Sequence, residues 1–544
     1  MEAWNYANLW ESVAAAAPDR AALIQGSRVV SYRDFDRRAN ALARRMLDAG
    51  VSHQSKVGAY LYNSPEYLET YFAAFKAGLA PFNINYRYGG EELTYLLDNA
   101  DAEVVVFHAS FAETADKVRG NLPKVKLWLA VPEEGHPVPD WAVNYEEVAA
   151  AGADHVEGPW GRSSDDILMM YTGGTTGMPK GVMWRQEDLF RSLGGGANLL
   201  AGLGPLETVA EAGERVKAAA SGAPQTVTLA AAPLMHATAQ YISLGALVSG
   251  TAVAVLPSRK FDTAELFDEV DRLGVSGLII VGLAFAAPML ETLDANPGRW
   301  KLTSLQRIVS SGTMWSAENK QGLLKHVPHV TLMDSLGSSE APGLGGSMAN
   351  SAAPAATAKF AVGANAAVFT EDGRRVAPGS GERGLLAVGG HTPIGYYKDP
   401  EKSAKTFRVF EGQRWSVPGD WATVEADGTI TLLGRGSQVI NTGGEKVFPE
   451  EVEEALKRFP GVRDAAVVGV PDARFGERIC AVVDFVGDNT PTLQELASHV
   501  RSILADYKAP RELVLAKVER APNGKLDYRS IKDLALKSLS APAT

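Results

Sequence analysis

Cysteine is all but absent: Cys480 is the one thiol among 544 residues. That excludes an internal disulfide framework and any multi-cysteine metal site, and fits a reducing compartment. Its setting in RICAVVDFV predicts a small buried residue on a strand. Positive charge is also short, with 53 Lys+Arg against 64 Asp+Glu and a formal net charge of −11. A surface of that sign does not attract a phosphate polymer or an anionic membrane, so no nucleic-acid partner is expected. The first residues, MEAWNYANLWESV, lack the basic and apolar regions of a signal peptide, which predicts a cytoplasmic protein. Between Ser221 and Ser258 there is no Asp, Glu, Lys or Arg, a length that raises the question of a membrane span. Pro233, His236, Gln240, Gly245 and Gly250 interrupt that stretch, which predicts strand, loop, short helix, turn and strand instead of a transmembrane segment. Fixed-period repeats and low-complexity tracts are missing, and the Ala/Gly-rich stretch 345–358 reads as a loop.

What is present is ordinary globular composition, 46% hydrophobic and 22% charged, in a chain long enough for more than one core. SYRDFDRRANALARRMLDAG repeats apolar residues at helical spacing, KVGAYLYN reads as a strand, and SPEYLETYFAAFKAGL opens on a Ser-Pro helix start. The alternation continues through AEVVVFH, TVTLAAAP, TAVAVLP, VSGLIIVG and SLQRIVSSG, the short apolar runs expected of buried parallel strands. Beyond about residue 355 strands with turn signals dominate (AVFTEDGRRV, RGLLAVGG, TVEADGTITLLG), predicting a β-rich subregion. Past Gly434-Arg435-Gly436 come an amphipathic helix, PEEVEEALKRF, with Val452, Ala455, Leu456 and Phe459 on one face, then strands RDAAVVGV and RICAVVDFV, helix LQELASHVRSILADY and strand RELVLA. The expected fold class is α/β: a large N-terminal domain of βα-layered sheets with a β-rich subregion over 1–434, and a small mobile α+β domain over 435–544.

One stretch carries chemistry by itself. MYTGGTTGMPKGVMW, residues 170–184, lies between a strand candidate, DDILMMY, and a helix candidate, WRQEDLFRSL. Its glycines let successive N–H groups point one way, its threonines add donors and Lys180 adds a mobile cation, so a polyphosphate is the natural guest. It is not a Walker A loop, because the lysine stands between Pro179 and Gly181.

T-G-G-T-T-G-M-P-K-G also resembles the phosphate loop of the adenylate-forming superfamily, which contains acyl-CoA synthetases, luciferases and the adenylation domains of peptide synthetases. Six more stretches resemble its motifs in order along nearly the whole chain: PLMHATAQ at 233–240, SSGTMW at 310–315, DSLGSSE at 334–340, WSVPGDWA at 415–422, LGRGSQVINTGGEKVFPEEVE at 433–453 and APNGKLDY at 521–528. The resemblance implies joining a carboxylate to the α-phosphorus of ATP, with pyrophosphate leaving, before a thiol attacks. Two anions must meet, so placed positive charge and fixed geometry are the means of catalysis.

Carried over motif by motif, Thr172, Gly173, Gly174, Thr175, Thr176, Gly177 and Lys180 would hold the β- and γ-phosphates, and Glu340 with Thr175 would bind Mg²⁺. Ser311, Gly312, Thr313, Asp334, Ser335, Leu336, Gly337 and Ser339 would enclose the adenine side, with Leu336 where relatives commonly stack an aromatic ring. Asp420, a carboxylate suited to two ribose hydroxyls, and Arg435 would hold the sugar. Lys525 would bridge the substrate carboxylate and the α-phosphate as the catalytic cation. The resemblance sets a hinge at Ser437, where many relatives have Asp or Lys. It lines a pantetheine tunnel with Gly443 and Gly444 and offers Lys446 for a CoA phosphate. His236 falls near the acyl site or its gate; a hydrogen-bonded core histidine is the other reading, and nothing suggests a metal cluster around it. GSSE lacks the G-x-S-x-G elbow, so no serine triad is expected.

YTGGTTGMPKGVMWRQEDLF with LGGGAN, and INTGGEKVFPEEVEEALK, look like bacterial CoA synthetases acting on steroid side chains or ring-cleavage acids. The expected acyl walls, Ala237, Thr238, Ala239, Gln240, Gly282, Leu283, Gly312 and Gly337, are mostly small, which favours a bulky hydrophobic acid. A steroid-derived acid, an arylalkanoic acid and a medium- to long-chain fatty acid stand in that order. The expected small molecules are therefore ATP, CoA and a carboxylic acid, with Mg²⁺ as cofactor, and a homodimer stays open. Two alternatives remain: transfer of the acyl group to a carrier protein or other acceptor, against which stands the end at KSLSAPAT without a carrier motif, and a nucleotide-binding regulator, which would not need an intact PNGK.

Overall fold

The computed structural model describes residues 2–174, 177–197, 202–220, 222, 224–313, 315–353, 358–442, 445–472, 476–487, 490–504, 506–520 and 524–540. At Arg435, Ser437, Asn441, Glu445 and Lys446 the description covers the backbone alone.

The apolar runs of the first 340 residues form two sheets. In the first, Ala21–Gln25, Ala252–Val255, Val227–Ala230, Gly277–Ile280, Arg307–Ser311 and Thr331–Leu336 lie side by side and parallel. Every residue of Val227–Ala230, Ala252–Val255 and Gly277–Ile280 is buried, which is why these strands read as unbroken apolar runs and not as alternation. The sheet then turns antiparallel through Gly345–Ala349, Lys359–Val362, Ile430–Arg435, Asp420–Val424 and Arg383–Val388, the expected β-rich subregion. In the second sheet the order is Gly395–Tyr396, Gly177–Arg185, Ile167–Gly174, Ala80–Asn83, Lys56–Tyr60, Ala102–His108, Leu127–Val131 and Val143–Asn144.

Helix Pro65–Lys76 packs against strands of both sheets, and all twelve of its residues are buried. Its charged residues are buried as ion pairs, Glu66 with Arg28, Glu69 with Arg38 and Lys76 with Glu11 and Asp36, since an enclosed charge needs a partner. The 221–258 stretch forms strand Val227–Ala230, helix Ala237–Val248 and strand Ala252–Val255 inside this stack. Among the described residues no helix is long and apolar enough to cross a membrane.

The phosphate-loop region departs from the expected strand, loop and helix. Ile167–Gly174 and Gly177–Arg185 pair antiparallel, with Thr172 opposite Lys180, and helix Gln186–Ser192 starts only after this hairpin. The glycines that read as a loop lie within its strands, while Thr175 and Thr176 lie outside the described residues. Gly181 is required by packing: a Cβ there would stand 2.9 Å from the Tyr171 ring on the facing strand.

The small α+β part is built on Val462–Asp472 and Gly476–Phe485, paired antiparallel, with Glu512–Leu515 parallel to the second. Alternation sorts its faces. Ala465 and Val467 pack with Val452, Ala455, Leu456 and Leu496, and Phe459 joins them half-buried. Ala466, Val468 and Cys480 pack with Ile531 and Ala535 of the last helix. Cys480 is the expected buried strand residue, and burial pushes its thiol up to about 12.

Candidate active site

Strand ends build the site. Past Ser311 the chain turns at Gly312, whose φ of +93° is left-handed and suits glycine, and Ser311 stands beside Ser335 at the end of the neighbouring parallel strand. Beyond strand Val227–Ala230 the chain turns through 233–236 and caps helix Ala237–Val248 at His236. Asp420 and Arg435 are register partners on adjacent antiparallel strands. Lys180 lies on the hairpin of the second sheet. These strand ends surround one cavity of about 2390 Å³, well above the ~300–1,000 Å³ of a single small-ligand pocket.

Of the residues expected from sequence, Thr172, Lys180, His236, Thr238, Ser311, Gly312, Thr313, Asp334, Ser335, Leu336, Gly337, Ser339, Glu340, Asp420 and Lys525 line this cavity. Gly443 and Gly444 lie outside the described residues, as do the side chains of Arg435, Ser437 and Lys446. Gln240 does not belong to the wall: it is fully buried and its Nε2 donates to the hydroxyls of Tyr67 and Tyr71, each at 2.9 Å. Its nitrogen is thus held in the core by two buried phenols, while its Oε1 is buried without a hydrogen-bond partner among the described residues; the residue stands behind the wall, which corrects its placement in the acyl pocket. Gly282 and Leu283 likewise do not line the cavity, where Val281 forms the wall; the Gly282 N–H donates to Ser310 Oγ at 2.8 Å.

The charges are individually held. Glu340 Oε1 accepts from the Tyr396 hydroxyl at 2.7 Å, and its carbonyl accepts from Ser416 Oγ at 2.7 Å. The preceding carbonyl, of Ser339, accepts from Trp184 Nε1 at 2.9 Å. Lys180 forms an ion pair with Asp399, whose other oxygen accepts from the Lys402 N–H at 2.9 Å and caps helix Pro400–Thr406. Asp334 is buried against Lys320 Nζ at 3.1 Å, and desolvation holds its carboxyl above the usual range. The half-buried His236 imidazole is pushed down to about 4 by burial, aided by the positive charges of Lys525 and Arg87, so it is neutral at pH 7. Thr313 Oγ1 and Ser338 Oγ are buried and have no hydrogen-bond partner among the described residues, as expected of walls shaped for a polar guest.

The small domain closes one side. Gly524, with φ of +72°, approaches so closely that a Cβ would lie 3.2 Å from the Val281 carbonyl and 3.3 Å from Thr313 Oγ1. Lys525 thereby shares one cavity with His236, Glu340 and Asp420. Sequence reasoning missed Tyr396, Asp399, Lys320 and the cavity residues Asn83, Asn85 and Tyr88. The Asp-Pro of KDPEK was legible as a helix cap, but its partner lies 219 residues away.

The AMP-binding enzyme family model matches residues 10–397, and the AMP-binding enzyme C-terminal domain model matches 451–525. A medium/long-chain-fatty-acid–CoA/3-oxocholest-4-en-26-oate–CoA ligase of Mycolicibacterium smegmatis is 40% identical over 539 residues, covering 98% of this chain and 96% of the relative. A 3-oxocholest-4-en-26-oate–CoA ligase of Rhodococcus rhodochrous is 41% identical over 543 residues, with 98% and 96% covered. The medium-chain acyl-CoA ligase Mig of Mycobacterium avium is 38% identical over 546 residues, with 97% of each covered. The fold is that of the anthranilate CoA ligase AuaEII in complex with anthranoyl-AMP, at a TM-score of 0.82, 20% identity and 98% of both chains. With one family model over the sheets that build the cavity, a second over the part that carries Lys525, and such relatives along nearly its whole length, the chain belongs to the AMP-binding enzyme family.

Proposed function

We propose that the protein is an AMP-forming acyl-CoA synthetase for bulky hydrophobic carboxylic acids. It joins a carboxylate to the α-phosphorus of ATP, releasing pyrophosphate. It then lets the thiol of CoA attack the acyl carbon, releasing AMP and the thiol proton. The observation that carries this reading is the meeting of Lys180, Glu340, Asp420 and Lys525, from four separate stretches, on one cavity large enough for a nucleotide and a bulky acid together.

In this reading residues Thr172 to Gly177, with Lys180, take the β- and γ-phosphates. Ser311 to Thr313 and Asp334 to Ser339 enclose adenine, with Leu336 covering the ring and the Asp334 carboxylate fixing its strand end through Lys320. Asp420 and Arg435 take the ribose. Lys525 neutralises the approach of the carboxylate to the α-phosphate, a charge present mainly in the transition state. Glu340 suits Mg²⁺, a hard ion that uses one or two carboxylates and fills its remaining positions with phosphate oxygens and water. The ion, when bound, supplies charge neutralisation on the phosphates.

His236 and Thr238 line the acyl side, where a neutral imidazole does not compete for the substrate carboxylate. The domains meet between 434 and 435 and pivot at Ser437, bringing Gly443, Gly444 and Lys446 to CoA in a second pose. The acids on which the relatives are named, 3-oxocholest-4-en-26-oate and medium- to long-chain fatty acids, support the bulky class.

The test is pyrophosphate release over steroid, arylalkanoic and fatty acids, with and without CoA, with mass identification of the product. Acyl-AMP without CoA and acyl-CoA with it are expected. An acyl-AMP that CoA leaves untouched would reassign the acceptor, and no acyl-AMP from any acid would sink the reading.

A further inference from the structure

The turn that carries His236 belongs to the first sheet, and the hairpin that carries Thr172 and Lys180 belongs to the second. Two asparagines, one in the loop after strand Lys56–Tyr60 and one ending strand Ala80–Asn83, reach across to that turn. Asn63 accepts from the Leu234 N–H at 2.7 Å and donates to the carbonyls of Ala232 at 3.0 Å and Ala230 at 3.3 Å. Asn83, which ends strand Ala80–Asn83 and is 4% exposed, does more. Its Nδ2 donates to the Met235 carbonyl at 2.7 Å and the Tyr171 carbonyl at 2.8 Å, while its Oδ1 accepts from the Tyr171 N–H at 2.7 Å. Two carbonyls and one N–H fix the orientation of the amide, since only nitrogen can donate to both. Strand Ala80–Asn83 pairs with Ile167–Gly174 at Phe82 opposite Met169. At the next residue the side-chain amide does what a backbone peptide would have done, bonding both the N–H and the C=O of Tyr171. Tyr171 directly precedes Thr172, and Met235 directly precedes His236.

We infer that Asn83 is a positioning residue that holds the phosphate-binding hairpin and the His236 turn in one register, coupling the nucleotide and acyl halves of the site. The inference rests on the reading above for what those halves bind. An aspartate in its place keeps the shape but turns an oxygen toward two carbonyls. An alanine removes the partner of two carbonyls and one N–H at once and unties the hairpin from the turn.

Asn63 supplies the matched comparison, because it holds the same turn but has no hydrogen bond to the hairpin among the described residues. Asn83→Ala should raise the KM for ATP and the KM for the acid together, each roughly tenfold, whereas Asn63→Ala should raise the KM for the acid alone. Asn83→Asp repeats the measurement without opening a cavity, should the alanine variant fold poorly. Direct titration with ATP, read as Kd, gives the nucleotide half independently of turnover. A wild type that binds ATP yet makes no acyl-AMP would therefore defeat the functional reading, while Kd for ATP in the Asn83 variants still decides the positioning role. An Asn83 effect on only one of the two constants, or on neither, or one that merely follows the loss of folded protein on thermal denaturation, overturns the inference.

Discussion

At the scale of single residues, the site is a set of charges each held by a neighbour, and the holding partners decide what a substitution does. Lys525→Ala should lower acyl-adenylate formation by roughly 10²- to 10³-fold, the size of losing one preorganised group at a developing charge. Attack of CoA on supplied acyl-AMP should suffer less, and equal losses in quenched-flow assays of the two half-reactions would remove the role given to this lysine. The neutral His236 makes a different kind of claim. With its pKa pushed down to about 4, its ring proton signals should not titrate between about pH 6 and about pH 8 by NMR, unlike an ordinary histidine near ~6.5. Movement of that signal across this window would place His236 in water. The charged members of the site were legible because each sits in a motif whose residue types suit one part of the chemistry. Tyr396 and Asp399 were not, because what matters is their contact with Glu340 and Lys180, and a contact between distant stretches leaves no local pattern.

At the scale of elements, the hairpin Ile167–Gly174 with Gly177–Arg185 is latched to helix Pro400–Thr406 by the Lys180–Asp399 pair. If Lys180 takes the β- and γ-phosphates as proposed, Asp399 competes with the incoming polyphosphate for it. Asp399→Asn retains a good helix cap but drops the charge, so KM for ATP should fall by up to a few-fold, matching the ~0.2–1 kcal/mol of a partly exposed ion pair. The helix should keep its stability. An unchanged KM in the pyrophosphate-release assay would place Lys180 away from the phosphates. Buried strands such as Gly277–Ile280 and helices such as Tyr32–Leu47 were readable, because uniform burial and helical periodicity each leave a mark within a few residues. The hairpin was not. Its glycines carry turn signals, and its strand pairing is set by Thr172 meeting Lys180 and by the Tyr171 ring resting on Gly181, relations visible only once the two strands face each other. Gln240 misled for the reverse reason: it sits in the histidine motif, yet Tyr67 and Tyr71, from a helix far earlier in the chain, draw its amide into the core.

At the scale of the whole molecule, stability and pH are linked through groups that folding buries. Glu453, on helix Pro449–Lys457 at the cavity's small-domain edge, accepts from the Val467 N–H at 2.9 Å and the Tyr528 hydroxyl at 3.0 Å. Burial pushes its carboxyl up to about 7 against the opposing pull of Lys457 and Arg520. The unfolded chain releases this proton near the ordinary ~4.3, so between that value and about 7 the folded protein holds a proton that the unfolded one does not. The stabilisation is complete below the unfolded pKa and is lost as pH rises through the folded one. A net charge of −11 adds a general loss of stability with rising pH, so the group's own share is read from the difference between variant and wild type. Glu453→Gln stays neutral and keeps an oxygen for Val467. Its Tm relative to wild type should therefore climb from about pH 5 to about pH 8 in thermal unfolding of the full chain. A difference that is flat or falls over that range would mean that Glu453 is ionised in the folded state, paired with Lys457 and Arg520 and not neutralised by burial.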